Sequence, residues 1–304
     1  MKALKWIAGI SGGVCVLFLA ASLTLAAVGG GFAALWDSVK DSGVKTGDTL
    51  TVPMNGITRL DLDIDAADIT LTRKAQEEAT ITYTAVGFTG RQGVEAKANN
   101  GTLTIRSRIG DRWHWFDRWK MEVEVILPES FTGDLKVDAD AGTLTLAAGQ
   151  TFGAVELDVS AATVRMDGLT ARTVDAEVDA GMLTGTGLTA DRVSLEVGAG
   201  SVKLKELTAA VKAGVDAGSI HLEFARMTGD STADVSMGSI DILLPADTGA
   251  ALNLTADMGH VTQKFGAAFS GKSGGNRVEG TLNGGGVKLT GEVDMGNLSV
   301  GPLT

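Results

Sequence analysis

Apolar and polar positions recur along this chain in a short pattern with a small residue at its centre. Three residues before the central residue and two residues after it, the side chain is apolar in every copy, and mostly polar residues stand between. Alternation with a period of two on both sides of a glycine predicts a strand, a sharp bend and a second strand. The clearest copies centre on Gly142, Gly181, Gly200, Gly218, Gly238 and Gly259, with looser copies at Ala67, Ala162, Gly285 and Gly296.

The copies follow one another at intervals near 20 residues between Gly142 and Gly259. A constant period of that length is typical of a solenoid, in which each unit buries its apolar side against its neighbours. We therefore predict an all-β β-solenoid, or β-helix-like repeat domain, with about 20 residues per coil, in which successive coils stack on one another and some antiparallel pairing is allowed. Glycine suits the bend because it adopts positive φ and allows close stacking.

A less repetitive stretch, residues 73–130, precedes the regular repeats. Its segments 80–86, 102–105 and 121–127 alternate clearly between apolar and polar residues, and Asn100-Gly101 is a tight-turn signal. These features predict hairpins that form a wider first portion of the same solenoid.

The first part of the chain has a different character, since no charged residue occurs from Trp6 to Trp36. About 20 apolar residues suffice for a helix to cross a bilayer, and the lysines that precede the run favour a cytoplasmic N-terminus. A cleaved signal peptide is the alternative. We predict a single-pass cell-membrane protein with its β domain outside: a cytoplasmic stub 1–5, a transmembrane anchor 6–30, a linker 31–48 and a β-repeat domain 49–304.

Composition narrows the function classes further. The 304 residues include 41 glycines and one cysteine, and the formal net charge is −11. A strongly acidic chain is unsuited to nucleic acid or to an anionic lipid surface. A single cysteine excludes disulfides within the chain and thiolate metal sites.

Two longer stretches carry a resemblance to a known family. Residues 121–128 lead into the repeat at 135–146, and the chain closes with Gly284-Gly285-Gly286 and the repeat at 294–300. The pattern resembles the bacterial putative-adhesin, β-strand-repeat family of envelope proteins, a domain of unknown function. The resemblance implies a surface-exposed β domain, often on a membrane anchor and often linked to envelope stress, with no established catalytic residues to carry over.

An aromatic cluster interrupts the strands and is our predicted binding site. It lies within an excursion at residues 107–120, and tryptophan is favoured at binding hot spots and at bilayer interfaces. The alternative is that the rings fold back and close the open end of the solenoid. The predicted binding residues are Trp113, Trp115, Phe116 and Trp119.

Aspartates recur two places before the central residue and would form a row in the stacked coils. Calcium binding is one interpretation, since hard cations prefer carboxylate oxygens. We predict instead a solvated polar face with no metal, because the 20-residue period differs from that of calcium-binding β-rolls. The row comprises Asp65, Asp140, Ser160, Asp179, Gly198, Asp216, Ser236, Asp257, Asn283 and Asp294.

The remaining motifs do not favour catalysis. Residues 266–273 match the phosphate-loop pattern, but Gly274-Gly275-Asn276 starts no helix, so we predict no nucleotide and no cofactor. Asp179 and Asp216 could serve a polysaccharide-cleaving β-helix enzyme, yet no basic cluster accompanies them.

The function predicted from the sequence is an adhesin or surface-binding scaffold without catalytic activity, held by residues 6–30 and directed at a surface protein or glycan. A regulatory envelope protein acting through a membrane partner, and a polysaccharide-cleaving enzyme, remain the alternatives.

Overall fold

The computed structural model describes residues 45–86, 93–108 and 120–303. Within these ranges the chain forms 24 β-strands and one 3-10 turn, Gly266–Ala268, which confirms the all-β prediction. No helix in the described ranges is both long and apolar enough to cross a membrane. The predicted anchor 6–30 lies outside them and stays a prediction.

Seven strands, between Lys45 and Pro128, precede the regular repeats. β1 begins inside the segment predicted as a linker, so residues 45–48 belong to the sheet. The seven strands are β1 (Lys45–Pro53), β2 (Arg59–Ile64), β3 (Ala67–Lys74), β4 (Glu78–Val86), β5 (Gly93–Asn99), β6 (Thr102–Arg108) and β7 (Lys120–Pro128).

The regular repeats and the C-terminal part supply the remaining seventeen strands. The repeats contain β8 (Asp134–Ala139), β9 (Gly142–Leu146), β10 (Thr151–Val159), β11 (Thr163–Asp167), β12 (Thr170–Val178), β13 (Met182–Thr186), β14 (Thr189–Val197), β15 (Ser201–Val215), β16 (Ser219–Met227), β17 (Ser231–Val235) and β18 (Ser239–Leu244). The C-terminal part contains β19 (Ala250–Ala256), β20 (His260–Gln263), β21 (Phe269–Gly274), β22 (Arg277–Leu282), β23 (Val287–Val293) and β24 (Asn297–Pro302).

In the middle of the solenoid each coil is a first strand, a bend and a second strand, stacked in parallel on the coil before it. β12 lies between β10 and β14, with Val174 in register with Val155 and Val193. β13 lies likewise between β11 and β15. From β8 to β18 the stacking order equals the chain order, as the period predicts.

The core is one continuous cluster of aliphatic side chains from successive coils. Val159 and Val178, which precede their bends by three residues, are fully buried, and so are Val164 and Leu183, which follow the bends. Burial alternates along each strand as the sequence predicts, because neighbouring side chains on a strand point to opposite faces. Contact between equivalent aliphatics of successive coils is thereby confirmed for the middle repeats.

At the C-terminal end the stacking order departs from the chain order. β23 pairs with β17 on one side and with β19 on the other, both in parallel. β24 lies in the same way between β18 and β20. The last coil of the chain is therefore inserted between two earlier ones, and the prediction that successive coils touch is wrong here.

The N-terminal end repeats this arrangement in mirror order. β2 lies between β6 and β8, and β3 lies between β7 and β9. The later pair β6 and β7 thus forms the outermost coil. The predicted strands at 80–86, 102–105 and 121–127 are confirmed, and so is the turn at Asn100-Gly101, where both residues have positive φ, 48° and 79°.

Antiparallel strands pair with three of the four outermost strands of the stacked coils, namely β6, β7 and β19. β5 pairs with β6, and β4 lies between β1 and β7. At the other end β22 lies between β19 and β21. The repeat predicted at Gly285 is wrong, because Gly285 lies in the turn between antiparallel β22 and parallel β23 rather than at a bend of the solenoid.

Candidate functional site

The bends between first and second strands line up along one side of the solenoid, which we call the corner edge. Each coil contributes the residue two places before the central residue, the residue directly before it, and the central residue itself. The bend residues stack through backbone hydrogen bonds; the amide of Ala180, for example, donates to the carbonyl of Ser160 at 2.8 Å. Residues at equivalent positions of successive coils therefore form continuous columns along the edge.

Close stacking explains the glycine column better than unusual backbone angles do. A Cβ on Gly238 would stand 2.3 Å from the carbonyl oxygen of Gly218, and one on Gly296 would stand 2.2 Å from that of Gly238. Among the corner glycines only Gly142 has a positive φ, 98°. Glycine is needed at most of these bends because successive backbones approach too closely for a side chain.

From Ala141 onward the column directly before the central residues is entirely apolar, and we call this part of it the apolar ridge. Its alanines are exposed or half-buried, and three methionines continue it at the C-terminal end. In stacking order the ridge comprises Ala141, Ala161, Ala180, Ala199, Ala217, Met237, Met295 and Met258.

Insertion of the last coil places the three ridge methionines on consecutive coils. The amide of Met295 donates to Ser236 in the coil of Met237, and the amide of Met258 donates to Asp294 in the coil of Met295. Met237, Met295 and Met258 are 60%, 52% and 77% exposed, respectively. Sequence reasoning missed this cluster, because in chain order Met258 would adjoin Met237 and Met295 would lie farther away.

A shallow groove of about 560 Å³ follows the ridge across the four coils that precede the methionines. Alanine, glycine and hydroxyl side chains line it, from Ala161 in the first of these coils to Ser219 in the last. Met182 is the only long side chain on its wall, and it is 46% exposed. Because the lining side chains are short, the groove is open enough for another chain to lie along it.

The predicted aspartate row forms the third column of the corner edge, with two changes. Asn283 does not belong to it: it lies in the turn between β22 and β23, and its side-chain amide donates to the carbonyls of Ala246 and Thr248 in the turn between β18 and β19. Asp294 instead lies between Ser236 and Asp257. No group of three or more histidine, cysteine or acidic residues within the described ranges could hold a metal ion.

A denser column of acidic residues runs beside the corner edge on the outer face of the first strands. We call it the acidic ladder; neighbouring members are paired in register on adjacent strands about 4.8 Å apart. Gly214 is the one interruption between its first and last members. The acidic ladder comprises Asp63, Asp138, Asp158, Glu177, Glu196, Asp234 and Glu292.

The acidic ladder has an electrostatic cost that is visible at Asp138. Partial desolvation raises the pKa of the Asp138 carboxyl above its ordinary value, and the neighbouring charges of Asp158, Asp140 and Asp63 raise it further. Like charges directly opposite each other on adjacent strands are destabilising. Arg106 offsets part of this at one end of the ladder, where its Nε lies 2.9 Å from a carboxylate oxygen of Asp63.

The outer face of the second strands carries mixed charges that are paired with one another. His221 lies 3.0 Å from both Glu223 and Asp241, and the Lys205 ammonium lies 3.1 Å from Glu223. Burial opposes ionisation of Glu223, but hydrogen bonds from His221 and Lys205 outweigh it and lower the pKa of this carboxyl. This face therefore has no column of like charge comparable to the acidic ladder.

The other predicted site residues fall in three places. The aromatic cluster of Trp113, Trp115, Phe116 and Trp119 lies outside the described residues and stays a prediction. The segment that matches the phosphate loop consists of the 3-10 turn and strand β21, with a hairpin turn after it in place of a helix. Asp179 and Asp216 are exposed in the corner aspartate column, with Gly198 between them.

Several solved structures of bacterial proteins share this fold. One from Bacteroides fragilis, described as a putative adhesin, is 14% identical, covers 88% of this chain and all of its own, and has a TM-score of 0.53. A putative adhesin from Parabacteroides merdae is 12% identical, with 88% and 99% covered and a TM-score of 0.52. At these identities the likeness concerns the fold alone.

A third structure with the same fold has a different description. It is described as a putative lipid binding protein from Parabacteroides distasonis, is 10% identical, and covers 88% of this chain and 99% of its own at a TM-score of 0.52. No curated protein matches the chain. The profile of one family, Toastrack DUF4097, matches residues 57–300, a range that runs from just before β2 into β24. The chain therefore belongs to the Toastrack DUF4097 family, whose function is unknown.

Proposed function

We propose that the protein is a non-catalytic binding module whose corner edge docks a protein segment bearing both apolar and basic side chains. The observation that carries the proposal is the apolar ridge, which continues through eight stacked coils and ends in three exposed methionines. Contiguous apolar surface on a soluble domain is typical of an interaction site.

The side chains of the ridge suit contact with a partner chain. Methionine is enriched at protein interfaces, and its unbranched, polarisable side chain adapts to the shape of what it touches. The groove between Ala161 and Ser219 extends the same surface and exposes only short side chains. An elongated partner segment could therefore lie along the edge across several coils.

The charge beside the ridge supports a basic partner. The acidic ladder and the corner aspartates flank the ridge on the side of the first strands, and Asp138, Asp158 and Glu177 are all exposed. Complementary charge accelerates encounter and excludes partners of the same sign. Two of the structural neighbours are described as putative adhesins, which agrees with a binding role.

The proposal includes the location predicted from the sequence. Residues 6–30 would hold the module at the outer face of the cell membrane, with the β domain free to meet a surface protein. The support is the uncharged run from Trp6 to Trp36 and the lysines before it. Regulation through a membrane partner stays a prediction, and truncation of residues 6–28 would separate it from docking by the β domain.

Two synthetic helical peptides test the docking proposal on the full chain. One has leucines along one face of the helix and lysines along the opposite face. The other carries glutamate in place of each lysine. We expect fluorescence anisotropy to show binding of the lysine peptide alone, weakening as ionic strength rises. The combined substitutions Met237→Ser, Met295→Ser and Met258→Ser should weaken it, and Met182→Ser should have a smaller effect. Equal binding of both peptides, or no effect of the triple variant, would contradict the proposal.

A further inference from the structure

We propose that Met237, Met295 and Met258, together with His260, form a binding site for a soft monovalent cation of the Cu(I) or Ag(I) class. This site is independent of the docking proposal, since it depends on the sulfur atoms rather than on the apolar character of the side chains.

The stacking brings the three thioethers within reach of one ion. Met295 is hydrogen-bonded through its backbone to the coil of Met237, and Met258 to the coil of Met295, at N–O distances of 2.8 and 2.7 Å. Strands so paired are about 4.8 Å apart, so the outer methionines flank Met295 by one coil on each side. Methionine is unbranched and flexible enough for the three sulfur atoms to converge over the middle coil.

A nitrogen ligand lies on the same edge. His260 is exposed and follows the corner Gly259, so Met258 and His260 flank one bend. Its backbone amide donates to the carbonyl of Gly296, the corner glycine of the coil that carries Met295. The imidazole is thus placed beside the methionine cluster on the side of the second strands.

The chemistry of the donors selects the cation. Thioether sulfur is a soft, neutral ligand that favours Cu(I), whereas carboxylate and carbonyl oxygens suit calcium and magnesium. The aspartates Asp294 and Asp257 directly precede Met295 and Met258, and their charge attracts any cation toward the edge. Selection between hard and soft ions then depends on the thioethers.

The pattern of exposure argues against a purely structural role for these side chains. At the equivalent ridge position the five preceding coils have alanine, and the methionines leave more than half of their surface in solvent. Packing therefore does not require a long side chain there. Met182 is also exposed but follows its corner glycine instead of preceding it, three coils away from Met237, which makes it an internal control.

Silver ion is the probe, because it is soft and monovalent and does not change oxidation state on binding. The full chain, labelled with 13C at the methionine methyl groups, is titrated with silver nitrate in chloride-free buffer. We expect one equivalent to shift the methyl signals of Met237, Met295 and Met258 together, and the signal of Met182 to stay unchanged. Substitution of each methionine by leucine assigns its signal.

Leucine substitution also separates this site from the docking surface. Met295→Leu keeps the ridge apolar but removes the central sulfur, so silver affinity measured by calorimetry should fall by about tenfold or more. The lysine peptide should still bind this variant. Met182→Leu should leave silver affinity unchanged. His260→Ala should weaken silver binding and leave the Met182 signal of the free protein unchanged.

Three outcomes would overturn the proposal. The first is that silver shifts no methionine signal at a concentration equal to that of the protein. The second is that Met182 responds as strongly as Met295. The third is that Met295→Leu, shown to be folded by its circular dichroism, binds silver as the unaltered chain does.

Discussion

The middle of the solenoid and its two ends differ in how the strands of each coil are paired. From β8 to β18 each coil stacks on its predecessor in the chain, and both of its strands have parallel partners. At each end a coil is inserted between two others, and antiparallel strands lie over the outermost first strands. The middle shows how one coil packs on the next, and the ends show how a stack of limited length is terminated.

The difference follows from the chemistry of sheet edges. A strand with one unpaired side offers its amides and carbonyls to any other chain, and native proteins cover or shorten such edges. β22 and β5 provide that cover on the face of the first strands, by pairing with β19 and β6. Regular repeats alone would leave both ends of the sheet open to further pairing.

The largest expected loss of stability comes from removing a buried leucine, and one leucine from each region provides the comparison. Leu183 lies in a middle coil and Leu298 in the inserted last coil, and they are 0% and 1% exposed. Replacement of either by alanine should lower the free energy of unfolding in urea by about 3 kcal/mol, because each leaves a cavity in one shared core. A loss at Leu298 less than half of that at Leu183 would show that the inserted coil is only loosely attached.

The next effect tests close stacking at the corner. A Cβ on Gly200 would lie 2.6 Å from the carbonyl oxygen of Gly181 and 2.7 Å from Cγ1 of Val178. Gly200→Val should therefore destabilise the middle coils by about 2 to 3 kcal/mol in urea unfolding. The matched control is Ala199→Val on the exposed ridge, which should change stability by less than about 0.5 kcal/mol. Equal losses would refute the stacking argument.

A smaller effect is expected at the hairpin between β5 and β6 at the N-terminal end. Gly101 has a φ of 79°, which side chains disfavour, and a Cβ there would lie 3.4 Å from the carbonyl oxygen of Gly56. Gly101→Ala should cost about 1 kcal/mol of unfolding free energy. Asn100→Gly, at a φ of 48°, should change it by no more than about 0.5 kcal/mol, since glycine tolerates that angle.

The smallest effect concerns pH and the acidic ladder. Because the pKa of Asp138 is raised in the folded state, the folded chain binds the carboxyl proton more tightly than the unfolded chain does. The free energy of unfolding therefore falls as pH rises from the ordinary carboxyl pKa through the raised pKa of the folded state. Asp138→Asn should stabilise the protein at pH 7 by roughly 0.3 kcal/mol, since solvent screens exposed charges. The gain should vanish below the ordinary carboxyl pKa of 3.8, and thermal unfolding at several pH values measures it.

The middle of the molecule could be predicted well from the sequence because every copy has the same pattern of apolar and polar positions around its central residue. The buried positions of residues such as Val159 and Leu183 follow from the alternation of apolar and polar residues alone. Stacking then requires only that equivalent apolar side chains of adjacent coils contact each other. The family resemblance is confirmed over residues 57–300. The sequence could not give the order of coils at the ends, because the repeats at Gly259 and Gly296 match equally well as partners for Gly238.

The candidate site was only partly predictable for the same reason. The aspartate row was visible as a column, but the methionine cluster exists only because Met295 lies between Met237 and Met258. The acidic ladder stands four residues before the central residue, outside the bend positions that the repeat pattern marks. It could have been found by aligning the fourth residue before each central residue, where Asp138, Asp158 and Glu177 coincide.

The inserted last coil also constrains how a newly made chain can reach its final form. A ribosome delivers β19 and β20 before β23 and β24, yet these earlier strands find their parallel partners only in the later ones. A nascent chain must therefore keep that place vacant, or release strands that have paired too early, until translation is complete. Any stop codon upstream of residue 287 would leave β17 and β18 each without a strand on one side. A change in the number of whole repeats between β10 and β16 would instead leave the strand pairing at both ends as it is.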